Sequence, residues 1–424
     1  METTDKKYLC RYKIPMMIFM LKDTKLEMDP SNIISVEKID DYEQNIRSIL
    51  KIKLRIDIHK KFWLLKNKRE IRCKFELDKF GMDTEVEKNI IGESIIWNNE
   101  FAVYFSDEDE SLDIKTLESR DKMNKTNQSN DKLSKEDYFE SENILDIYLF
   151  EPKLLEASNK TYNEVFSNSI LQNVIARMLT ATKHRKVLMS KLENDTQYNE
   201  LLIPANPLYK CLIYLDQYYG FYKKGAIIYY DIDTLYIINP NGKVTAKQKN
   251  EFPQVNFMID RTDEAYPGNG MTKKEKEKKY YINLSELDII PKKFSELKNE
   301  SFGSKVKIVL IDDIKIKEKQ AKQSVSTNSN EVIKYISADN SKFTDSIIAA
   351  RMEENECIMY ISAENLDLSI FTPNKEFRLI FTETEKQQKY GKDRYRLAYA
   401  YHFIQKESMY MISSHRIVLK KCAK

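Results

Sequence analysis

Between Ser48 and Ile58 the chain reads SILKIKLRIDI, with Leu50, Ile52, Leu54, Ile56 and Ile58 alternating with Lys51, Lys53, Arg55 and Asp57. Successive side chains of an extended strand point to opposite faces, so this period of two sets aliphatic residues against a core and charged ones away from it. At about 100° per residue a helix would scatter both kinds around its axis. The segment therefore predicts a long, half-buried strand. Ile71, Cys73, Phe75 and Leu77 repeat the pattern against Arg72, Lys74, Glu76 and Asp78, and Lys79-Phe80-Gly81 reads as the turn that ends it. Further strands are expected at Tyr12 to Met20, Ile33 to Lys38, Ser94 to Phe105 and Ile144 to Phe150. Residues 1–155 thus read as a first antiparallel β-barrel or sheet with short connections and no helix of useful length.

Within it, residues 107–141 form an almost purely polar stretch that cannot bury enough apolar area to offset its ordering entropy, so an exposed insertion is expected there. Its acidic residues lack the Asp-x-Asp-x-Asp-Gly spacing of a calcium loop. Residues 156–250 read as a helical or mixed unit. Thr161-x-x-Glu164 has the form of a capping box ahead of Val165, Phe166, Ile170, Leu171, Val174, Ile175, Met178 and Leu179, predicting a helix from Thr161. A second helix is expected with Asn206 as N-cap, Pro207 at its first position and Gly220 as its stop, followed by strands at Ala226 to Tyr230 and Thr234 to Ile238. Residues 251–424 are β-rich again, a second barrel with closing strands, with TKKEKEKK (Thr272 to Lys279) as a surface loop and a flexible loop near 318–330. The fold class expected is mainly β with some α: two antiparallel barrels plus a smaller mixed element.

Composition narrows the function. The 424 residues suggest two to four domains, and 42% hydrophobic content excludes wholesale disorder. Sixty-nine basic against sixty-six acidic residues leave +3, no global footprint for nucleic acid. Cys10, Cys73, Cys211, Cys357 and Cys422 are far apart and form no Cys-x-x-Cys pair, so neither a disulfide framework nor a zinc site is indicated. The N-terminal segment lacks a signal-peptide layout, and no apolar run near it approaches the ~20 residues of a membrane span, so folding in a cytoplasm without membrane insertion is expected.

The sharpest catalytic candidate is IIYYDIDTLYI, in which Asp231-x-Asp233 resembles the first motif of haloacid-dehalogenase-type phosphatases. There one carboxylate attacks phosphorus and the next handles the leaving-group proton. Leu235 at the fifth position departs from that pattern, and the long meander supplies no parallel α/β sheet around it. A pair of strand-end aspartates is the plainer reading. His59, His184, His402 and His415 never fall at metal-ligand spacing and read as surface or strand-face residues. Pro267-Gly268-Asn269-Gly270 has no lysine in P-loop position and reads as a turn. No catalytic residue, cofactor site or metal site is expected.

Three segments carry a family resemblance. The meander containing SILKIKLRIDI, the stretch LLIPANPLYKCLIYLDQYYGFYKKGAIIYYDIDTLYII, and the terminal KEFRLIFTETEKQQKYGKDRYRLAYAYHFIQKESMYMISSHRIVLKK resemble the baseplate hub proteins of contractile-tailed bacteriophages and related contractile injection machines. The resemblance implies a non-enzymatic homotrimer, two barrels per subunit making a pseudo-sixfold ring that joins the sixfold tail tube to the threefold central spike. It also implies contact with the tape-measure protein and with baseplate wedge components, DNA only as cargo passing through the channel, assembly in the host cytoplasm and a place in the virion baseplate. The alternatives are a phosphotransferase using Asp231 and Asp233, or another virion component such as a tail tube or baseplate wedge protein.

Overall fold

The computed structural model describes residues 7–42, 47–83, 90–106, 144–182, 186–222, 225–239, 254–259, 271–274, 279–284, 287–291, 305–311, 316–320, 331–337, 357–407 and 410–422. The 107–141 insertion, His184, the Pro267 to Gly270 turn and residues 321–330 of the loop expected near 318–330 lie outside them. In chain order the first strands are β1 Lys7–Leu21, β2 Thr24–Glu27, β3 Ile33–Asp41, β4 Ile49–Arg55, β5 Arg72–Asp83, β6 Ile90–Phe105 and β7 Ile144–Phe150. The middle of the chain adds β8 Thr161–Ile170, β9 Lys186–Met189, β10 Gln197–Pro207, β11 Ile227–Asp231 and β12 Thr234–Ile238. Then follow β13 Gln254–Ile259, β14 Met271–Lys274, β15 Lys279–Leu284, β16 Leu287–Pro291, β17 Lys305–Ile311, β18 Ile316–Gln320 and β19 Glu331–Ser337. The last four are β20 Cys357–Glu364, β21 Glu376–Phe381, β22 Tyr395–Glu407 and β23 Tyr410–Lys421.

Pairing runs β22-β3-β4-β7-β6-β5-β1-β23 and returns to β22, every pair antiparallel, which closes a barrel of eight strands. Closure leaves no free edge in the ring. The alternation of β4 does what its sequence requires, with Leu50, Ile52 and Leu54 buried inside and Lys51 paired to Asp146 at 2.7 Å on the outer face. Tyr12, Met17, Phe19, Cys73, Phe75, Leu77, Ile147 and Leu149 fill the rest of this core.

The closing hairpin β22–β23 is also a wall of a second unit. From β22 the pairing goes on to β21, β13, β15 and β14, and β14 returns to β1, while β23 pairs β20 and then β16. Here β13 runs parallel to both of its neighbours. The core of this unit contains Val255, Phe257, Ile282, Met359, Phe371, Phe377, Leu379, Leu397, Ile417 and Leu419, with Phe257, Phe371 and Phe377 stacked in near-parallel planes. The two units therefore share one hairpin.

A third core lies in the mixed unit, where helices Pro152–Asn159, Leu171–Thr182 and Leu208–Tyr219 pack with the β8–β10 ribbon and the β11-β12-β9 sheet around Leu171, Ile175, Leu201, Ile203, Leu212, Leu215 and Ile237.

Several sequence expectations are corrected. Thr161–Ile170 is strand β8, and the helix begins at Leu171. Tyr162 and Phe166 share a face in either conformation, and pairing with β10 decides for the strand. Pro207, rather than Asn206, is the N-cap of the second helix, because both residues are still paired to β8; Gly220 is its stop at φ +72°, a conformation that favours glycine. Strand β5 runs through Lys79-Phe80-Gly81, since Phe80 is buried and has partners in both β1 and β6. The first 155 residues do contain a helix, Ile58–Lys66, started by Asp57, whose carboxylate accepts the Lys60 amide at 2.9 Å. Thr272 to Lys274 belong to β14 and Lys317 to Gln320 to β18.

A shared hairpin makes the two units unfold as one. Leu397→Ala, a change in the second core, is expected to cost ~2–5 kcal/mol and to raise hydrogen exchange in β3 and β4 of the closed barrel as well. Exchange confined to β13, β15 and β21 in mass-spectrometric mapping would show two independent units.

Candidate functional site

The inward rows of three adjacent strands change character at the same level. Along β3 the buried residues run Val36, Lys38, Asp40; along β22, Leu397, Ala400, His402, Ile404; along β23, Met411, Ser413, His415, Ile417. Register places His402 beside Lys38 on one side and His415 on the other. Val36, Ile404 and Met411 belong to the core of the closed barrel, whereas Ala400, Ile417 and Leu419 belong to the second core. A polar belt therefore separates two apolar cores.

The hairpin β11–β12 plugs into this belt. Tyr230, Leu235 and Ile237 face the third core, Tyr229 and Tyr236 the second, and Ile232 at the tip reaches the first. The Ser48 amide donates to Tyr230 O at 2.9 Å, continued by a parallel bridge from Arg47 to Tyr230. Asp231 is thereby delivered to Lys38. The Lys38 ammonium, 3% exposed, contacts Asp40 and lies 3.0 Å from Asp231 Oδ1. Ser48 Oγ is 2.5 Å from Asp40 Oδ1 and 2.9 Å from Asp231 Oδ1. The Tyr229 hydroxyl donates to Asp40 at 3.0 Å, and the Ile232 amide donates to Asp231 at 2.9 Å.

Charge in this setting is uneven. Burial pushes the Asp40 carboxyl above the usual carboxylate range, against the pull of Lys38. Burial acts on Asp231 in the same sense, but the Lys38 ammonium and the donors from Ile232 and Ser48 outweigh it and hold that carboxyl low. Burial also disfavours the Lys38 ammonium, yet Asp231 and Asp40 together keep its pKa above the ordinary lysine value. Asp231 is the firm counter-ion.

The two buried histidines complete the belt. Their Nδ1 atoms approach to 2.7 Å, so one ring donates and the other accepts, and His415 Nε2 lies 2.8 Å from Ser413 Oγ. His402 Nε2 has no hydrogen-bond partner among the described residues. Phe371 covers both rings at 5.5 and 5.8 Å between centroids. Burial and its neighbour hold His402 well below the usual histidine range, and burial holds His415 at about 3. Nearby, Lys79 pairs with buried Asp367, and the Tyr12 hydroxyl accepts the Leu368 amide at 2.9 Å, which fastens the segment after β20 to the barrel.

Of the residues singled out in the sequence, the structure brings Asp231 into this cluster and leaves Asp233 at the hairpin tip, where it accepts from Thr234 Oγ1 at 2.7 Å. The two carboxylates have separate partners. The Lys38 ammonium, the Ser48 hydroxyl and the Ile232 amide all meet Asp231 at Oδ1. His402 and His415 read from sequence as surface or strand-face residues; their pairing was legible only through the hairpin register Glu407↔Tyr410, which sets them opposite each other. Lys38, Asp40 and Ser48 carried no motif. Among the described residues no group of three His, Cys, Asp or Glu side chains is placed to hold a metal.

Removing one member of the triad leaves a buried charge without its partner. Lys38→Met is expected to cost ~3–5 kcal/mol in urea unfolding, and Asp231→Asn to cost clearly more than Asp233→Asn; equal losses would show that Asp231 is not the counter-ion of Lys38. The histidines give a pH signature. Their folded-state pKa values lie below the unfolded value of ~6.5, so the unfolded chain takes up protons first and stability falls as pH drops below about 6.5, by ~1.4 kcal/mol per pH unit for each ring. The double variant His402→Leu/His415→Leu is expected to lose less stability between pH 7 and pH 5 than the parent.

A family model described as Bacteriophage PBS1 gene 109 protein matches residues 8–422 of the chain. No curated protein matches it. Among solved structures, a tail protein from Neisseria meningitidis MC58 is 8% identical at TM-score 0.48, with 97% of this chain and 96% of that one covered. The 43 kDa tail protein of prophage MuSo2 from Shewanella oneidensis is 8% identical at TM-score 0.48, with 95% and 98% covered. A chain of the lidded Francisella PdpA-VgrG complex is 9% identical at TM-score 0.48; 97% of this chain is covered and 53% of that one.

Proposed function

Because this chain belongs to the Bacteriophage PBS1 gene 109 protein family, we propose that it is a structural component of a phage tail, the hub of the baseplate. In this reading three copies form a pseudo-sixfold ring that adapts a sixfold tail tube to a threefold spike, meets the tape-measure protein, and encloses the channel through which DNA passes as cargo. Its place is the virion.

The observation that carries the reading is the fusion of two β-units through the hairpin β22–β23. A closed ring needs repeated interfaces at fixed angles. When two units share a wall, the angle between them is set by covalent structure and by one continuous ladder, so three chains present six units in a fixed alternation. The boundaries at 155 and 250 then mark changes of module along the chain, while the closing hairpin serves both units. The belt supports the same reading in a second way, because Lys38, Asp40 and Asp231 are taken up in mutual bonds that hold modules together.

Mass photometry and negative-stain imaging of the purified protein test it. A species with the mass of three chains, seen as a threefold ring with a central hole, is expected, with no turnover of p-nitrophenyl phosphate. A monomer persisting at high concentration, or stacked sixfold rings of the kind a tube protein forms, would reject the hub assignment.

A further inference from the structure

Strands β5 and β6 of the closed barrel and the helix Pro152–Asn159 enclose a cleft of about 470 Å³. The helix contributes Pro152, Leu155, Glu156 and Asn159, one face at helical spacing. Val103 and Phe105 of β6 lie along the cleft but turn into the core of the closed barrel, while Tyr104 between them faces the other way. Opposite the helix stand Lys68, Arg69 and Arg72, supplied by the turn after helix Ile58–Lys66 and by the first residue of β5.

The two guanidinium groups of this wall are not consumed internally. Arg69 and Arg72 are exposed and make no ion pair among the described residues, and Glu156 is the one acidic side chain in the lining against three basic ones. Guanidinium groups present planar forks suited to carboxylates. Tyr104, 46% exposed, adds an aromatic wall with its ring edge-on to Phe150 at 5.3 Å. The strands at the cleft are already paired on both sides, β6 with β5 and β7, so no backbone edge is open for strand addition and recognition rests on side chains.

We propose that this cleft is a docking site for a short acidic segment of a partner protein, with carboxylates on Arg69 and Arg72 and one apolar side chain seated against Leu155 and Tyr104. A cleft of this size takes a few residues of peptide, whereas a nucleic-acid backbone needs an extended basic track.

Fluorescence anisotropy on the full chain tests this with a dye-labelled peptide of alternating glutamate, leucine and aspartate. Binding that weakens with added salt is expected, about tenfold weaker for Arg69→Ser/Arg72→Ser and also weaker for Leu155→Ser, with circular dichroism unchanged. A lysine-for-acid version of the peptide binding equally well, insensitivity to both variants, or duplex DNA binding more tightly through the same arginines would each overturn the proposal. Tighter peptide binding after neutralising Asp107 to Glu110 would overturn it too, assigning the cleft to the chain's own acidic segment.

Discussion

An ammonium taken out of water needs its charge answered, and Lys38 is answered by Asp40 from its own strand and by Asp231 from a hairpin far along the chain. Much else follows from that requirement. Asp231 reaches Lys38 only when β11–β12 is docked with Tyr229 and Tyr236 against one core and Tyr230 and Leu235 against another. The ion pair acts as a register mark: sliding the hairpin by one residue would turn its aromatic faces over and leave two buried charges unmatched.

The belt also explains why one continuous ladder can carry two cores without their merging. Leu397 and Ile404 lie on the same strand, yet His402 stands between them and demands a partner across the hairpin, which His415 supplies. Apolar side chains on either side then pack with their own neighbours.

How much of this was legible follows from the kind of signal each residue carries. The strand β4 announced itself because its period is written in consecutive residues. Gly220 announced the helix end because only its backbone accepts φ +72° cheaply. Thr161 misled, since a spacing of four residues puts Tyr162 and Phe166 on one face of a helix and on one face of a strand alike. Asp231 stood out for its place in a motif, and its partners carried no signal because a lysine at an inward strand position has the same letter as one in solvent.

The sequence alone determined a mainly β chain, the alternating strands and the glycine stop, because these rest on local periodicity and local backbone freedom. Only the tertiary structure decided that the last hairpin closes the first barrel, that Asp231 belongs to Lys38 and that His402 meets His415. Those outcomes depend on which distant strands pair and which side of each is buried, and the free energy of burying a charge is set by neighbours that local sequence does not name.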